Sequence, residues 1–488
     1  MKLKDIIANC NLLELKGDKE IDIEKVSFDS RDVAPDTLFF AVKGTQTDGH
    51  AYIENALDKG ASAIVCEQMP QNLRDGVTYI RVDNSSYVLG VAAANFHGNP
   101  SKSLKLTGVT GTNGKTTIAT LLYRLFTDAG YACGLLSTIE NIVDREVIPS
   151  THTTPDPIEL NALLRKMVDH GCEYAFMEVS SHAIDQHRIA GLQFAGGIFT
   201  NLTHDHLDYH KTMANYRNAK KKFFDDLPAN AFALTNLDDK NGAVMLQNTK
   251  AHKLSYALKH DADYKGIVLE SHFDGMLMKV NGTELYTRLV GGFNASNILA
   301  IYGAAIALGF DKDELLVEIS KMNGANGRFD MVHSDSGIVG IVDYAHTPDA
   351  LENVLKTINE VKSQLPTANC QLITVVGCGG NRDASKRPEM AAIAVKLSDR
   401  VILTSDNPRN EDPEEIIRQM KEGIGPDNLS RVLSITDRRE AIRTAVALAR
   451  KNDVILLAGK GHEDYQIIKG EKRHFDDKEE LAKALKEK

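Results

Sequence analysis

The segment LKLTGVTGTNGKTTIATLLYRLFTDAG limits what this chain can become more than any other stretch. It reads as a short apolar strand, a Gly-rich turn at Gly111–Thr117 and a helix stopped by Gly130. Ile118, Leu121, Leu122, Leu125 and Phe126 recur at i, i+3, i+4, i+7 and i+8, which is one face of a helix. A strand that leaves its turn as a helix belongs to a parallel sheet with helical crossovers, so an α/β fold is expected. Backbone N–H groups of Gly111, Thr112, Asn113, Gly114 and Thr117 would cradle phosphate oxygens at the helix N-terminus. Lys115 would reach the terminal phosphates, and Thr116 would offer its hydroxyl to Mg²⁺. The turn departs from GxxxxGK[ST], because Val109 stands where the first Gly belongs and Gly108 lies one residue earlier.

At about 150 residues per domain, 488 residues predict three domains. In the first hundred, Thr37–Gly44 reads as a strand and Ala51–Glu67 as a helix, a Gly60 stop and a strand, a small α/β unit. Asn95–Lys105, rich in Gly, Asn, Pro and Ser, reads as a linker. Beyond the Gly-rich turn, strands are expected at Tyr174–Glu178 and Gly197–Thr200. DG and NG turns between Tyr264 and Leu289 predict an antiparallel patch beside the parallel sheet. In the final third IVGIVDY, QLITVVG, RVILTSD, RVLSIT and DVILLAG alternate with helical stretches, which predicts a second, Rossmann-like sheet. The KEELAKALKEK tail reads as a solvated helix.

Composition narrows the function classes. An apolar content of 42% with 25% charged residues excludes a disordered chain. No run approaches the roughly 18 apolar residues of a membrane span. The start, MKLKDIIANC, lacks the apolar core of a secretory signal, so a cytoplasmic protein is expected. Cysteines 10, 66, 133, 172, 370 and 378 form no CxxC pair and read as reduced. A net charge of −10, no basic tract and no Trp argue against nucleic acid as partner.

The remaining chemistry gathers at strand ends, where open α/β sheets bind ligands. Glu178 closes one apolar strand, and His204, Asp205, His206, Asp208 and His210 follow the next. Glu178 and one of these histidines could ligate Mg²⁺ or hold its waters. NYRNAKKKFF, with Lys220, Lys221 and Lys222, reads by pattern as a solvated basic face. Asp343, Tyr344 and His346, the turn Thr404–Pro413 and the turn Gly459–Gln466 leave three strands of the final third and predict one cleft. These residues describe an ATP-using, Mg²⁺-dependent enzyme and leave kinase, ATPase and ligase open.

GTNGKTT, TTP at Thr153–Pro155, MEVSSHAIDQHR, TNLTHDHLDYH, YRNAK, GGFNASN, GRF, VDYAHTPDAL, DNPRNEDP and the early DSR at Asp29–Arg31 together resemble the Mur ligase family over the whole chain. The resemblance implies an N-terminal UDP-binding domain at 1–98, a central P-loop ATPase-like domain at 99–326 and a C-terminal Rossmann-like, amino-acid-binding domain at 327–488. It implies that ATP phosphorylates the D-Glu γ-carboxylate of UDP-MurNAc-L-Ala-D-Glu and that a diamino acid then attacks the acyl phosphate. By similarity Thr116 and Glu178 bind one Mg²⁺ and His206 helps to hold a second. Lys220, four residues after Tyr216, aligns with the carbamylated lysine of the family, whose carbamate is a metal ligand. Lys115, Glu178, His206 and Lys220 are thus the expected catalytic group. Asn294, Arg328 and Asp343 would contact ATP, with Tyr344 and His346 nearby. Ser30, Thr153, Thr154, Ser180, Gln186 and Arg188 would hold the UDP-sugar peptide. DNPR at Asp406, Asn407, Pro408 and Arg409 is the family's signature for meso-diaminopimelate, completed by Arg382, Gly459 and Glu463. The partners expected are these small molecules, acting on a monomer. The alternatives are a lysine-adding ligase, disfavoured by Arg409, folylpolyglutamate synthase, disfavoured by the DSR region and the DNPR turn, and a P-loop switch without chemistry.

Overall fold

The computed structural model describes residues 1–44, 47–150, 152–364 and 370–488. Three α/β domains follow one another, each built on its own sheet. The first sheet has five strands in the order Leu12–Lys16, Thr78–Val82, Ala61–Cys66, Thr37–Phe40, Lys25–Ser27, parallel except for Leu12–Lys16 at the edge.

The central sheet has eleven strands. Its P-loop strand, Lys105–Thr110, lies between Tyr174–Glu178 and Gly196–Phe199, both parallel to it. Glu178 is level with Val109, and Phe199 with Thr110, so three chain exits open side by side. The chain fills one side of the P-loop strand and then the other, the switch point at which such sheets bind ligands. The expected antiparallel patch is present as Tyr264–His272, Gly275–Val280 and Thr283–Thr287. A second one, Cys133–Leu136, Glu140–Val143 and Glu146–Pro149, closes the opposite edge and was not foreseen. The P-loop helix Lys115–Asp128 buries all five of its expected core residues, and Phe126 packs on Tyr174 and Phe176 at 4.5 and 5.2 Å between ring centroids.

The third sheet has six strands, with Val339–Asp343, Val454–Ala458, Leu372–Val376 and Arg400–Leu403 adjacent and parallel. Asp343 and Val376 are both level with Ala458, which puts the polar exits beyond them at one rim. An unforeseen antiparallel strand, Asp330–His333, precedes them. A hairpin of Tyr465–Ile468 and Glu471–His474 was missed as well.

Two expectations need correction. Asn95–Lys105 is a packed corner and not a loose linker. Asn95 lies in the last turn of the helix Ser85–Phe96 and donates to the carbonyls of Ile6 and Ala8 at 3.0 and 2.8 Å, and buried Ser101 accepts from Gln193 N. Polar residues are stable here because backbone groups distant in sequence satisfy them. The terminal helix Asp477–Glu487 is not simply solvated, since Leu481, Ala484 and Leu485 are buried. Its first residue, Asp477, pairs bidentately with Arg438 at 2.8 and 2.6 Å, both side chains fully buried. Asp477→Asn leaves that guanidinium uncompensated and should cost about 3–5 kcal/mol of stability, seen as a lower urea midpoint with unchanged slope. An unchanged midpoint would contradict this reading. The six cysteines are free thiols. Among the described residues no helix is long and apolar enough to cross a membrane.

Candidate active site

The turn leaving the P-loop strand is held from outside itself. Two N–H groups expected to face phosphate are instead taken up by the protein: Thr112 N and Asn113 N donate to the carbonyl and side-chain oxygens of Asn201, each at 2.9 Å, and Thr200 Oγ1 donates to Asn113 O at 2.6 Å. Thr112 Oγ1 meets the Tyr216 hydroxyl at 3.1 Å. Gly114 takes φ +88°, and a Cβ there would lie 2.7 Å from Asn297 Oδ1. This position needs glycine for both conformation and space. The Lys115 ammonium curls onto its own turn, donating to Gly111 O at 3.0 Å and Thr112 O at 2.8 Å. Those carbonyls mark where a terminal phosphate would compete for it.

Thr116 Oγ1 donates to Glu178 Oε1 at 2.9 Å, and Thr138 N donates to the same oxygen at 2.7 Å. The Lys220 side chain is buried and donates to Gly111 O at 2.8 Å. Burial, with the neighbouring Lys115 charge, holds its amine far below the usual lysine range. Lys115 is also pushed down by burial, with Glu178 and Asp205 opposing. The pattern reading of a solvated basic face is therefore wrong at Lys220, while Lys221 and Lys222 pair with Asp225 and Asp226 at 2.6 and 2.8 Å. His206 has φ +53°, and burial pushes its imidazole down to about 4 although Asp205 pulls it up. It packs edge-on against His182 at 4.8 Å. His204 and Asp208 face solvent, and buried His210 bonds Ser181 Oγ at 2.9 Å.

The C-terminal domain reaches into this group. Arg328 Nη2 donates to Thr116 Oγ1 at 3.2 Å while its guanidinium lies 4.5 Å from the Tyr344 ring. His346 lies exposed beside Tyr344 at 4.6 Å, its Nδ1 2.8 Å from Tyr344 O. Asp343 accepts from Phe329 N at 2.7 Å, and burial raises its carboxyl to about 6 against the pull of Arg328. Asn294 is one helical turn short of the loop: it accepts from Asn297 at 3.1 Å, and Asn297 is the residue against Gly114. The i, i+3 spacing of the two in GGFNASN was the available signal. Two cross-domain contacts had no signal in the sequence. Asn113 Nδ2 donates to Asp349 at 2.8 Å, and Lys386 pairs with Asp205 at 2.7 Å. Burial opposes the Asp205 charge, but His206 and Lys386 outweigh it and hold the carboxyl below the usual range.

Beside Glu178 lies a hydroxyl-rich strip. Thr154 Oγ1 donates to Glu178 O at 2.8 Å and accepts from Ser180 N at 3.2 Å, and Thr138 Oγ1 donates to Thr153 Oγ1 at 3.0 Å. Arg188 donates to Thr154 O at 2.8 Å and to Gln186 Oε1 at 2.7 Å. Ser30 is buried next to the exposed Asp29–Arg31 pair, and among the described residues no hydrogen bond joins it to this strip.

The DNPR turn is clamped by the missed hairpin. Ile467 N donates to Asn407 Oδ1 at 2.9 Å, Gln466 Nε2 to Asp406 O at 2.6 Å and Arg409 N to Ile467 O at 3.0 Å. Arg409 sits at φ +54° with Nη1 on Gly380 O at 2.7 Å. A Cβ on Gly379 would lie 3.0 Å from Arg409 Nη1 and 3.8 Å from Arg382 Cγ, so the two arginines flank one point. Asn407 Nδ2 donates to Glu463 Oε2 at 2.7 Å. Gly459, at φ +119°, leaves room for Asp406, whose Oδ2 would stand 2.6 Å from a Cβ.

Residues 22–97 match the model described as Mur ligase family, catalytic domain, 109–305 the Mur ligase middle domain and 327–461 the Mur ligase, glutamate ligase domain. The chain is 58% identical over 481 residues to the UDP-N-acetylmuramoyl-L-alanyl-D-glutamate--2,6-diaminopimelate ligase of Bacteroides fragilis, covering 99% of this chain and 98% of that one. The chain belongs to the Mur ligase family. A solved structure of a ligase of the same name is 33% identical, with a TM-score of 0.70 over 100% of this chain and 99% of that one. The MurF ligase of Thermotoga maritima in complex with ADP shares the fold at 21% identity and a TM-score of 0.62, over 95% of this chain and 98% of that one.

Proposed function

We propose that this chain joins meso-diaminopimelate to the D-Glu γ-carboxylate of UDP-MurNAc-L-Ala-D-Glu, using ATP and passing through an acyl phosphate. This is a step of peptidoglycan precursor synthesis, carried out in the cytoplasm by a monomer. The observation that carries the reading is the full-length, 58% identity to a ligase of that name. The division of labour at residues 98/99 and 326/327 belongs to the same reading, supported by a separate main sheet in each part.

Phosphoryl transfer between two anions needs positioning and concentrated positive charge. Lys115 supplies charge by exchanging its two loop carbonyls for the γ-phosphate. Arg328, already on Thr116, brings a second cation from the C-terminal domain. Asp343, Tyr344 and His346 border the nucleotide, and Asn294 acts on the turn through Asn297. Thr153, Thr154, Ser180, Gln186 and Arg188, with Ser30, hold the UDP-sugar peptide so that its carboxylate lies beside Glu178.

Two hard oxygens, Thr116 Oγ1 and Glu178 Oε1, stand 2.9 Å apart and suit Mg²⁺. Neutral His206, and Lys220 once carbamylated, would complete the set. Mg²⁺, when bound, neutralises charge on the phosphate oxygens. A neutral, buried Lys220 amine is the form that adds CO₂, releasing a proton and becoming an anion. That anion would also balance Lys115.

Arg409 offers a planar fork to the distal carboxylate of diaminopimelate, which L-lysine lacks. Arg382 flanks it, Asp406, Asn407, Pro408 and Gly459 shape the turn, and Glu463 takes the distal ammonium. The test is phosphate release from ATP with the UDP-dipeptide present. Release should depend on added diaminopimelate, whereas release independent of any amine would favour a nucleotide switch.

A further inference from the structure

Lys460 is among the most buried cations in the molecule, with a fully buried side chain. It follows Gly459 at the exit of Val454–Ala458 and points back into the turn. Its ammonium lies 3.4 Å from Glu463 Oε2 and 4.0 Å from Asp406 Oδ1, donates to Tyr465 O and stands 5.5 Å from the Tyr465 ring. Asp406 and Glu463 are themselves largely buried, at 8% and 14% side-chain exposure.

Two carboxylates sharing a poorly solvated pocket repel, and one of them then tends to take up a proton. Burial and Asp406 raise the Glu463 carboxyl above its usual range, against the opposing pull of Lys460 and Asn407. The nearby Arg438 cannot substitute, because Asp477 already holds it bidentately. Lys460 and Asn407 both bind Oε2 of Glu463, so among the described residues Oε1 is the oxygen left without a protein donor.

We infer that Lys460 is a specificity-determining positioning residue, which fixes Glu463 as an anion with Oε1 turned to the distal ammonium of the diamino acid. The inference rests on the ligase reading above. Lys460 touches no reacting atom, so its effect belongs in amino-acid binding and not in phosphoryl transfer.

The test compares full-length wild type, Lys460→Met, Glu463→Gln and the double variant, measuring KM for meso-diaminopimelate, KM for ATP and kcat. K460M should raise KM for diaminopimelate by on the order of 10-fold or more and leave KM for ATP and kcat at saturating amino acid near wild type. In the E463Q background the same substitution should add almost nothing, because the carboxylate it acts through is gone. An unchanged KM for diaminopimelate overturns the inference, as does an equal change in both KM values. A full additional effect in the E463Q background also overturns it, because it assigns Lys460 to folding. If K460M is recovered unfolded by circular dichroism, Lys460→Gln is measured in the same way, and failure of both to fold counts against the inference. Wild type that forms no diaminopimelate product overturns the ligase reading and this inference together. Normal wild-type turnover with an unaffected K460M overturns this inference alone.

Discussion

Lys220→Ala should lower amide formation by on the order of 10²–10³-fold, and Lys220→Met, which keeps most of the volume, should fall by as much. The effect follows from where the amine sits. Its side chain is buried at the base of the Gly-rich turn, 2.8 Å from Gly111 O, with Lys115 as the neighbouring cation. A buried ammonium beside a second, partly buried one is unfavourable, so burial and Lys115 favour the neutral amine. A neutral amine can carry a carbamate, and under the proposed function that anion would have both Lys115 and a metal ion as partners. Formate or acetate in excess should restore part of the activity in K220A, where the cavity admits a small anion, and restore little in K220M. Full turnover in K220M would show that Lys220 is a packing residue.

Arg409→Ala should reduce kcat/KM for meso-diaminopimelate by on the order of 10³-fold and leave KM for ATP and for the UDP-dipeptide unchanged. The guanidinium is preorganised by Gly380 O, by the strained φ of +54° and by the hairpin strand at Ile467. Little ordering is left for the substrate to impose, and a buried polar partner left unpaired is what makes such sites selective. Arg409→Lys keeps the charge but loses the planar fork, and should fall between the two. A variant R409A that uses diaminopimelate as well as wild type would remove the basis for the assigned specificity.

What could be read from the sequence depended on how local each feature is. The Gly-rich turn is contiguous, so its glycines, Lys115 and the helix stripe behind it are visible at once. The parallel strands were visible because both faces are buried, which makes them continuous apolar runs such as Leu372–Val376 and Val454–Ala458. Glu178 and His206 were found as exits of such strands. Lys220 was hidden by the two lysines after it. The helical period nevertheless held the answer, since Tyr216, Ala219, Lys220, Phe223 and Phe224 form one buried stripe. The hairpin clamping the DNPR turn was missed because Lys469 occupies the first left-handed position of its turn, where Asn or Asp is the usual signal. Contacts such as Asn113 with Asp349, 236 residues apart, arise only when the C-terminal domain meets the central one. No periodicity in either segment records them.

The most direct test is a competition. The protein is incubated with ATP, Mg²⁺, UDP-MurNAc-L-Ala-D-Glu and equal amounts of meso-diaminopimelate and L-lysine, and the product is weighed. A UDP-MurNAc-tripeptide carrying diaminopimelate, formed with one phosphate released per amide bond, is the predicted result. A lysine-containing product, or phosphate release with no new amide, would contradict it.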